Sequence, residues 1–228
     1  MIVFITTLPH PANIKNYSFI EKILTETLKS ITNQTDKNFK IIITGYVKPE
    51  LKNKDIEKYF EFIPVNITPF KLYDDQWERM EEFRIHKGLK LIIGINEAQK
   101  YNPDFIMTVD CDDYISSKIA AFVNTLDKTE NGYYIDDGYI LCNKTKQFWE
   151  LNNFNNFCGT SLIMNNNLFK YPKYRELITI QIKPEKWIEI DTEKTDFLNK
   201  IKHDDTQEII LEKVNLNFIK YIIGSHKF

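Results

Sequence analysis

Val109-Asp110-Cys111-Asp112-Asp113-Tyr114-Ile115-Ser116 sets three carboxylates within four positions, directly behind the apolar run FIMTV that starts at Phe105. Neighbouring carboxylates repel one another and lose hydration beside a core, so positive charge is needed among them. A divalent cation is the simplest answer. FIMTV reads as a buried strand, and the carboxylates stand where it ends. In open α/β sheets, ligands collect beyond the carboxyl ends of the strands.

Upstream, strand-like and helix-like periods alternate. Ile2 to Thr6 is a short apolar run bounded by LPHP, hence a buried strand leading into a loop. Ile20, Ile23, Leu24, Thr27, Leu28 and Ile31 recur at helical spacing, and NQTDKN closes that helix. FKIIIT, from Phe39 to Thr44, is a second buried strand stopped by Gly45, and Tyr59 to Val65 is a third. A long helical pattern runs from Trp77 to Tyr101, apolar on more than one side near Leu91 to Ile95, and NPD ends it before FIMTV. This order predicts an α/β fold: a mostly parallel sheet with helices on both faces.

Downstream, SSKIAAFVNTL reads as a helix, and YYIDDGYILCN and KQFWELNNF as short strands separated by turns. FCGTSLIM reads as one more strand, with a helix start at NNNLF. Beyond Pro184, TEKTDFLNKI and DDTQEIILEKV read as helices and NFIKYIIG as a final strand. No repeat, low-complexity tract or linker interrupts the 228 residues, so one domain over 1–228 is the simplest organisation.

Composition narrows the class. With 43% hydrophobic and 27% charged residues the chain is an ordinary globular sequence, and a net charge of −2 gives no electrostatic case for nucleic acid as its main partner. Cys111, Cys142 and Cys158 are odd in number and lack zinc spacing, which reads as reduced thiols in a cytoplasmic compartment. The apolar start MIVFITTLPHP has no basic region before it and is too short for a signal peptide. No segment has the length of a membrane span, although peripheral association at the inner membrane face suits a lipid-linked acceptor.

Other chemistry fits the cluster poorly. An EF-hand loop opening at Asp110 needs Gly at its sixth place and Glu at its twelfth, where Ile115 and Ala121 stand. A dehalogenase-type phosphatase has D-x-D-x-T after its first strand, but here the motif lies mid-chain and Tyr114 replaces the threonine. A purely structural role also stays open: Asp113 or Ser116 is placed to cap the helix that follows. Hard oxygen donors at a strand end suit a hard divalent cation such as Mg²⁺, with substrate phosphates completing the shell.

LKSITNQTDKNFKIIITG (28–45), followed by HKGLKLIIGINEAQKYNPDFIMTVDCDDYIS (86–116), resembles the nucleotide-sugar half of GT-A glycosyltransferases, especially bacterial family-2-like enzymes. Both the motifs and their order agree over about the first hundred residues. The resemblance implies the GT-A fold, with 1–117 binding a nucleotide-diphospho-sugar donor and 118–228 binding the acceptor. One departure stands out: Thr44, Gly45 and Tyr46 occupy the place where that family carries acidic residues, so UDP is not implied.

The same resemblance assigns the site. Asp110 would meet the ribose or the metal's waters, Asp112 would bind Mn²⁺ or Mg²⁺, and Asp113 would orient the donor sugar, with Cys111 between them. Thr6 and Thr7 end the first strand, where the family touches the nucleotide; a plain loop or capping role competes. Arg84 and Lys87, one helical turn apart, would reach the diphosphate, or else form a solvated helix face with Glu81 and Glu82. Asp204 and Asp205 resemble the acidic pair whose second member is the base in inverting enzymes, and both also suit a helix N-terminus. Late in the chain, His226 resembles the histidine that closes the metal shell, and Lys227 a phosphate-binding lysine; a frayed tail is the plain alternative.

The expected activity is sugar transfer, of the hexosyltransferase type, to a glycan or lipid-linked acceptor in bacterial surface polysaccharide synthesis, such as capsule or lipopolysaccharide. A sugar nucleotidyltransferase is the rival enzyme, but LPHPAN lacks its Gly-rich basic loop. A carbohydrate-binding protein without catalysis is the third class. It predicts sugar affinity with no turnover of any nucleotide sugar.

Overall fold

Apolar residues on both faces of a strand need cover on both sides, and β1 (Ile2–Thr7) shows this most clearly: Ile2, Val3, Phe4 and Ile5 are all fully buried. The computed structural model describes residues 1–65, 76–142 and 145–169, together with the backbone of strands at 177–183, 186–191 and 210–213. After β1 come α1 (Tyr17–Thr32), β2 (Phe39–Gly45), the short α2 (Lys54–Glu57), β3 (Phe60–Pro64), α3 (Gln76–Ala98) and β4 (Phe105–Thr108). α4 (Ile119–Val123) and β5 (Gly132–Tyr134) follow, then the hairpin β6 (Gly138–Cys142) with β7 (Gln147–Leu151), and β8 (Leu162–Asn165).

The main sheet has six strands in the order β3-β2-β1-β4-β8-β5. β3, β2, β1 and β4 are parallel; β8 pairs antiparallel with β4, and β5 pairs antiparallel with β8, so β8 alone runs against the other five. Side chains alternate across it. Val3, Ile5, Ile42 and Ile106 point to the face covered by Ile92, Ile95 and Ala98 of α3. Ile2, Phe4, Ile41, Phe105 and Met107 point to the face covered by Leu24, Leu28 and Ile31 of α1. Gly94 lets α3 lie close to the sheet, because a Cβ there would come within 2.6 Å of Ile5 Cγ2.

Two ends show why the elements stop. The Asn16 side chain accepts a hydrogen bond from the Phe19 amide at 3.2 Å and caps α1. Between α3 and β4, Asn102 takes the left-handed conformation at φ 45°, just ahead of Pro103.

Several expectations for the second half need correction. FCGTSLIM is not one strand: Gly159–Ser161 forms a 3-10 turn and the strand begins at Leu162. At NNNLF, where a helix start was expected, a 3-10 helix runs over Asn166–Phe169. Within SSKIAAFVNTL only Ile119–Val123 is α-helical, ending at Asn124, whose amide group is drawn to Asp36 at 2.7 Å. DDTQEIILEKV contains β11 (Ile210–Lys213) where a helix was expected, since pairing with β9 (Leu177–Lys183) outweighs local helix preference. Sequence reasoning missed β9 and its partner β10 (Lys186–Asp191), although LITIQIK alternates as a strand should. TEKTDFLNKI and NFIKYIIG lie outside the described residues.

Candidate functional site

The chain leaves β1 for β2 and β3 on one side, then crosses back through α3 to place β4 on the other. The strand order therefore reverses between β1 and β4, which opens a crevice at their carboxyl ends. The Val109 amide donates to the Ile5 carbonyl at 2.8 Å, so the β4 end is held beside the β1 end. Residues more than a hundred apart in sequence, Thr6 and Thr7 on one strand and Asp110 beyond the other, thereby come to one edge.

Alternation then distributes the cluster. Asp110 shares the parity of Ile106 and meets α3, where Lys87 Nζ lies 2.6 Å from its Oδ1 and 2.8 Å from its Oδ2. Cys111 packs among residues of the α1 face, and its carbonyl accepts from the Thr27 hydroxyl at 2.8 Å. Burial pushes its thiol up to about 12, with Asp112 and Asp110 pressing the same way, so it stays protonated and unreactive. Asp112 is exposed at the tip of the turn.

Asp113 is held differently. It accepts hydrogen bonds from the Thr160 hydroxyl and from the Cys158 thiol, the latter at 3.2 Å. The Thr160 oxygen in turn accepts from the Asp110 amide at 3.0 Å, and the Asp113 amide donates to the Asp110 carbonyl at 3.1 Å. Burial raises the Asp113 carboxyl above the usual carboxylate range, although the Thr160 and Cys158 donors pull it back. Asp113 thus braces the turn against the strand approach at Gly159–Ser161. FCGTSLIM supplies its small hydroxyl to this carboxylate.

A second layer of polar groups around one buried lysine escaped the sequence reading. Lys90, one turn beyond Lys87, is buried and donates to the Leu8 carbonyl at 2.6 Å, under the Tyr46 ring at 5.5 Å. Burial pushes its ammonium down to about 8. Tyr46 Oη lies 3.2 Å from His86 Nδ1, and the His10 ring meets the Tyr46 ring edge-on at 4.2 Å. Burial, then Lys90 and His10, lower His86 to about 4, against Glu82 at 3.8 Å, so it is neutral at pH 7. The one sequence signal was a lysine inside the apolar run GLKLIIG.

The remaining expected residues divide. Thr6 is fully buried and its hydroxyl has no hydrogen-bond partner among the described residues, whereas Thr7 is half-buried. Arg84 is half-buried on α3, one turn before Lys87. Asp204, Asp205, His226 and Lys227 lie outside the described residues. Among the described residues no group of three or more His, Cys, Asp or Glu side chains is gathered to hold a metal ion. The available oxygens are those of Asp112, which is open, and Asp110, which Lys87 grips. One or two carboxylates fit a Mg²⁺ or Mn²⁺ ion whose other ligands are phosphate oxygens and water.

Fold and site together define an α/β sheet protein with a carboxylate and lysine site at a topological switch point. No protein-family model matches the chain, and no curated protein matches it significantly. Among solved structures it is similar to S. aureus TarS at 14% identity and TM-score 0.43, over 77% of this chain and 30% of that one. Residues 1–349 of S. aureus TarS in complex with UDP are similar at 14% identity and TM-score 0.38, over 74% and 48%. The chain thus spans less than half the length of these structures. No helix among the described residues is long and apolar enough to cross a membrane.

Proposed function

We propose that the chain is a metal-dependent GT-A-type glycosyltransferase, moving a sugar from a nucleotide-diphospho-sugar to a glycan or lipid-linked acceptor in bacterial surface polysaccharide synthesis. The observation that carries this reading is the Asp110–Asp113 turn at the switch point, with one carboxylate open, one paired to Lys87 and one braced by Thr160. Asp112, with Asp110, would hold Mn²⁺ or Mg²⁺, and the ion would neutralise charge on the departing diphosphate. Lys87 pairs with Asp110 and would turn to a donor phosphate as a charge-assisted partner. Lys90 fixes the Leu8 carbonyl and with it the loop after β1. Asp113 keeps the turn in register through Thr160. Asp205, with Asp204 beside it, is proposed as the base, His226 as a further metal ligand and Lys227 as a phosphate partner. A cytoplasmic protein working at the inner membrane face fits this role.

A panel of nucleotide sugars tests the reading, with thermal shift and nucleotide release measured with and without Mn²⁺. Stabilisation by one nucleoside diphosphate in the presence of Mn²⁺, with slow release of that nucleotide from its sugar, is the expected result. No response to any donor overturns it.

A further inference from the structure

On the α1 face, a cleft of about 550 Å³ lies between α1, the start of α2 and the segment following the carboxylate turn. It is a wide, open cleft rather than an enclosed pocket, a shape that leaves room for a chain to lie across it. Two aromatic rings line it from different segments: Tyr59, 38% exposed, and Tyr114, 56% exposed and next in sequence to Asp113. The segment that carries Tyr114 is pinned, because the Ile115 amide donates to the Ser30 hydroxyl at 3.2 Å and that hydroxyl donates to the Thr27 carbonyl at 2.7 Å. The Asn53 side chain is fixed as well, its oxygen accepting from the Asp55 amide at 3.0 Å. The backbone beside Tyr114 and the Asn53 side chain are therefore held in place before any ligand arrives.

The chemistry of the lining selects a ligand class. Asp55 has a carboxylate 91% exposed and 4.0 Å from Lys58, and Lys29 is paired with Glu26 at 2.7 Å. No unbalanced positive charge faces a phosphate or nucleic acid there. Ile56, the one aliphatic residue in the lining, is buried, so an apolar peptide finds little to cover. Tyrosine faces with amide, hydroxyl and carboxylate groups around them suit a pyranose, whose C–H face packs on a ring while its hydroxyls take polar partners.

We propose that this cleft is a second carbohydrate site, which holds a segment of a neutral glycan strand away from the carboxylate site. The proposal stands on the cleft itself and does not depend on the transfer reaction. The whole chain is applied, without nucleotide or metal, to an array of neutral and anionic bacterial glycans. Wild type is expected to bind neutral glycans, and Tyr59→Ala and Tyr114→Ala each to weaken binding at least tenfold, with unchanged urea midpoints. Tyr59→Phe keeps the ring and should retain binding within about threefold. Asp112→Asn should bind as wild type does. No capture of any glycan, selection of anionic glycans alone, equal binding by the alanine variants, or loss of binding in Asp112→Asn overturns the proposal. Failure here leaves donor binding with Mn²⁺ intact, and failure of donor binding leaves the array result intact.

Discussion

Lys87 bridges both oxygens of Asp110, at 2.6 and 2.8 Å, across 23 residues of sequence and from helix to strand end. The ammonium thus occupies the position that a metal ion would compete for. Lys87→Met frees Asp110 to act as a ligand. The variant should bind Mn²⁺ more tightly than wild type without nucleotide, yet bind a nucleoside diphosphate less tightly, by about tenfold, since a charge-assisted contact is gone. Calorimetric titration of both ligands checks this. Parallel weakening of both would remove the competition.

Asp112 carries the open carboxylate, and Asp113 the braced one. Asp112→Asn should keep the stability of wild type and lose metal-dependent nucleotide binding. Thr160→Val should do the reverse in part: it strips a donor from Asp113 and an acceptor from the Asp110 amide, costing about 1–3 kcal/mol of stability. Urea unfolding paired with nucleotide titration separates the two. Unchanged nucleotide affinity in Asp112→Asn would count against the ion assignment.

Lys90 gives a stability effect on the alkaline side. Its pKa is about 8 in the fold against 10.5 in the unfolded chain, so the folded protein holds fewer protons between those values. The burial penalty on the ammonium is present below about pH 8 and is relieved as pH rises towards 10.5. The span is worth roughly 3 kcal/mol at about 1.36 kcal/mol per unit. Relative to Lys90→Met, wild type should therefore gain stability between pH 7 and pH 10. A stability difference that stays flat over that range would contradict the depressed value.

His86 acts on the acid side. Its pKa is about 4 in the fold against 6.5 unfolded, so its neutral form contributes fully above pH 6.5 and stability is lost as pH falls through 4. His10, Lys90 and Tyr46 surround it, with Glu82 at the rim. His86→Gln should unfold less steeply than wild type between pH 6.5 and 4 in urea titrations. Equal slopes would mean that His86 does not titrate in this window.

Gly94 tests the packing of α3 on the sheet. A methyl there meets Ile5 Cγ2 at 2.6 Å and Thr44 Cγ2 at 3.3 Å, both on β-branched side chains of central strands. Gly94→Ala should lose about 1–2 kcal/mol of stability despite the better helix propensity of alanine. A gain in the urea midpoint would show that the helix shifts freely.

Much of the first half was legible because each element carries its own period. Ile2 to Ile5 and FKIIIT read as continuous apolar runs, and the structure buries them on both faces. Lys87 and Asp110 were both visible as candidates, but their bond was not, since no local pattern reports a contact between a helix and a strand end. Lys90 was missed for a related reason: its charge is tolerable only where the Leu8 carbonyl and the Tyr46 ring are brought over it.

By itself, the sequence determined that β1, β2, β3 and β4 form a parallel core with helices on both faces. Apolar runs separated by helical spacing admit few other arrangements. It also determined that three carboxylates stand at the end of β4. Only the tertiary structure decided what each carboxylate does, because alternation sends Asp110 to Lys87 on α3 while Thr160, arriving by the antiparallel β8 segment, claims Asp113. The reversed direction of β8 and the β11 strand were settled the same way. Hydrogen-bond partners distant in sequence leave no local period to read.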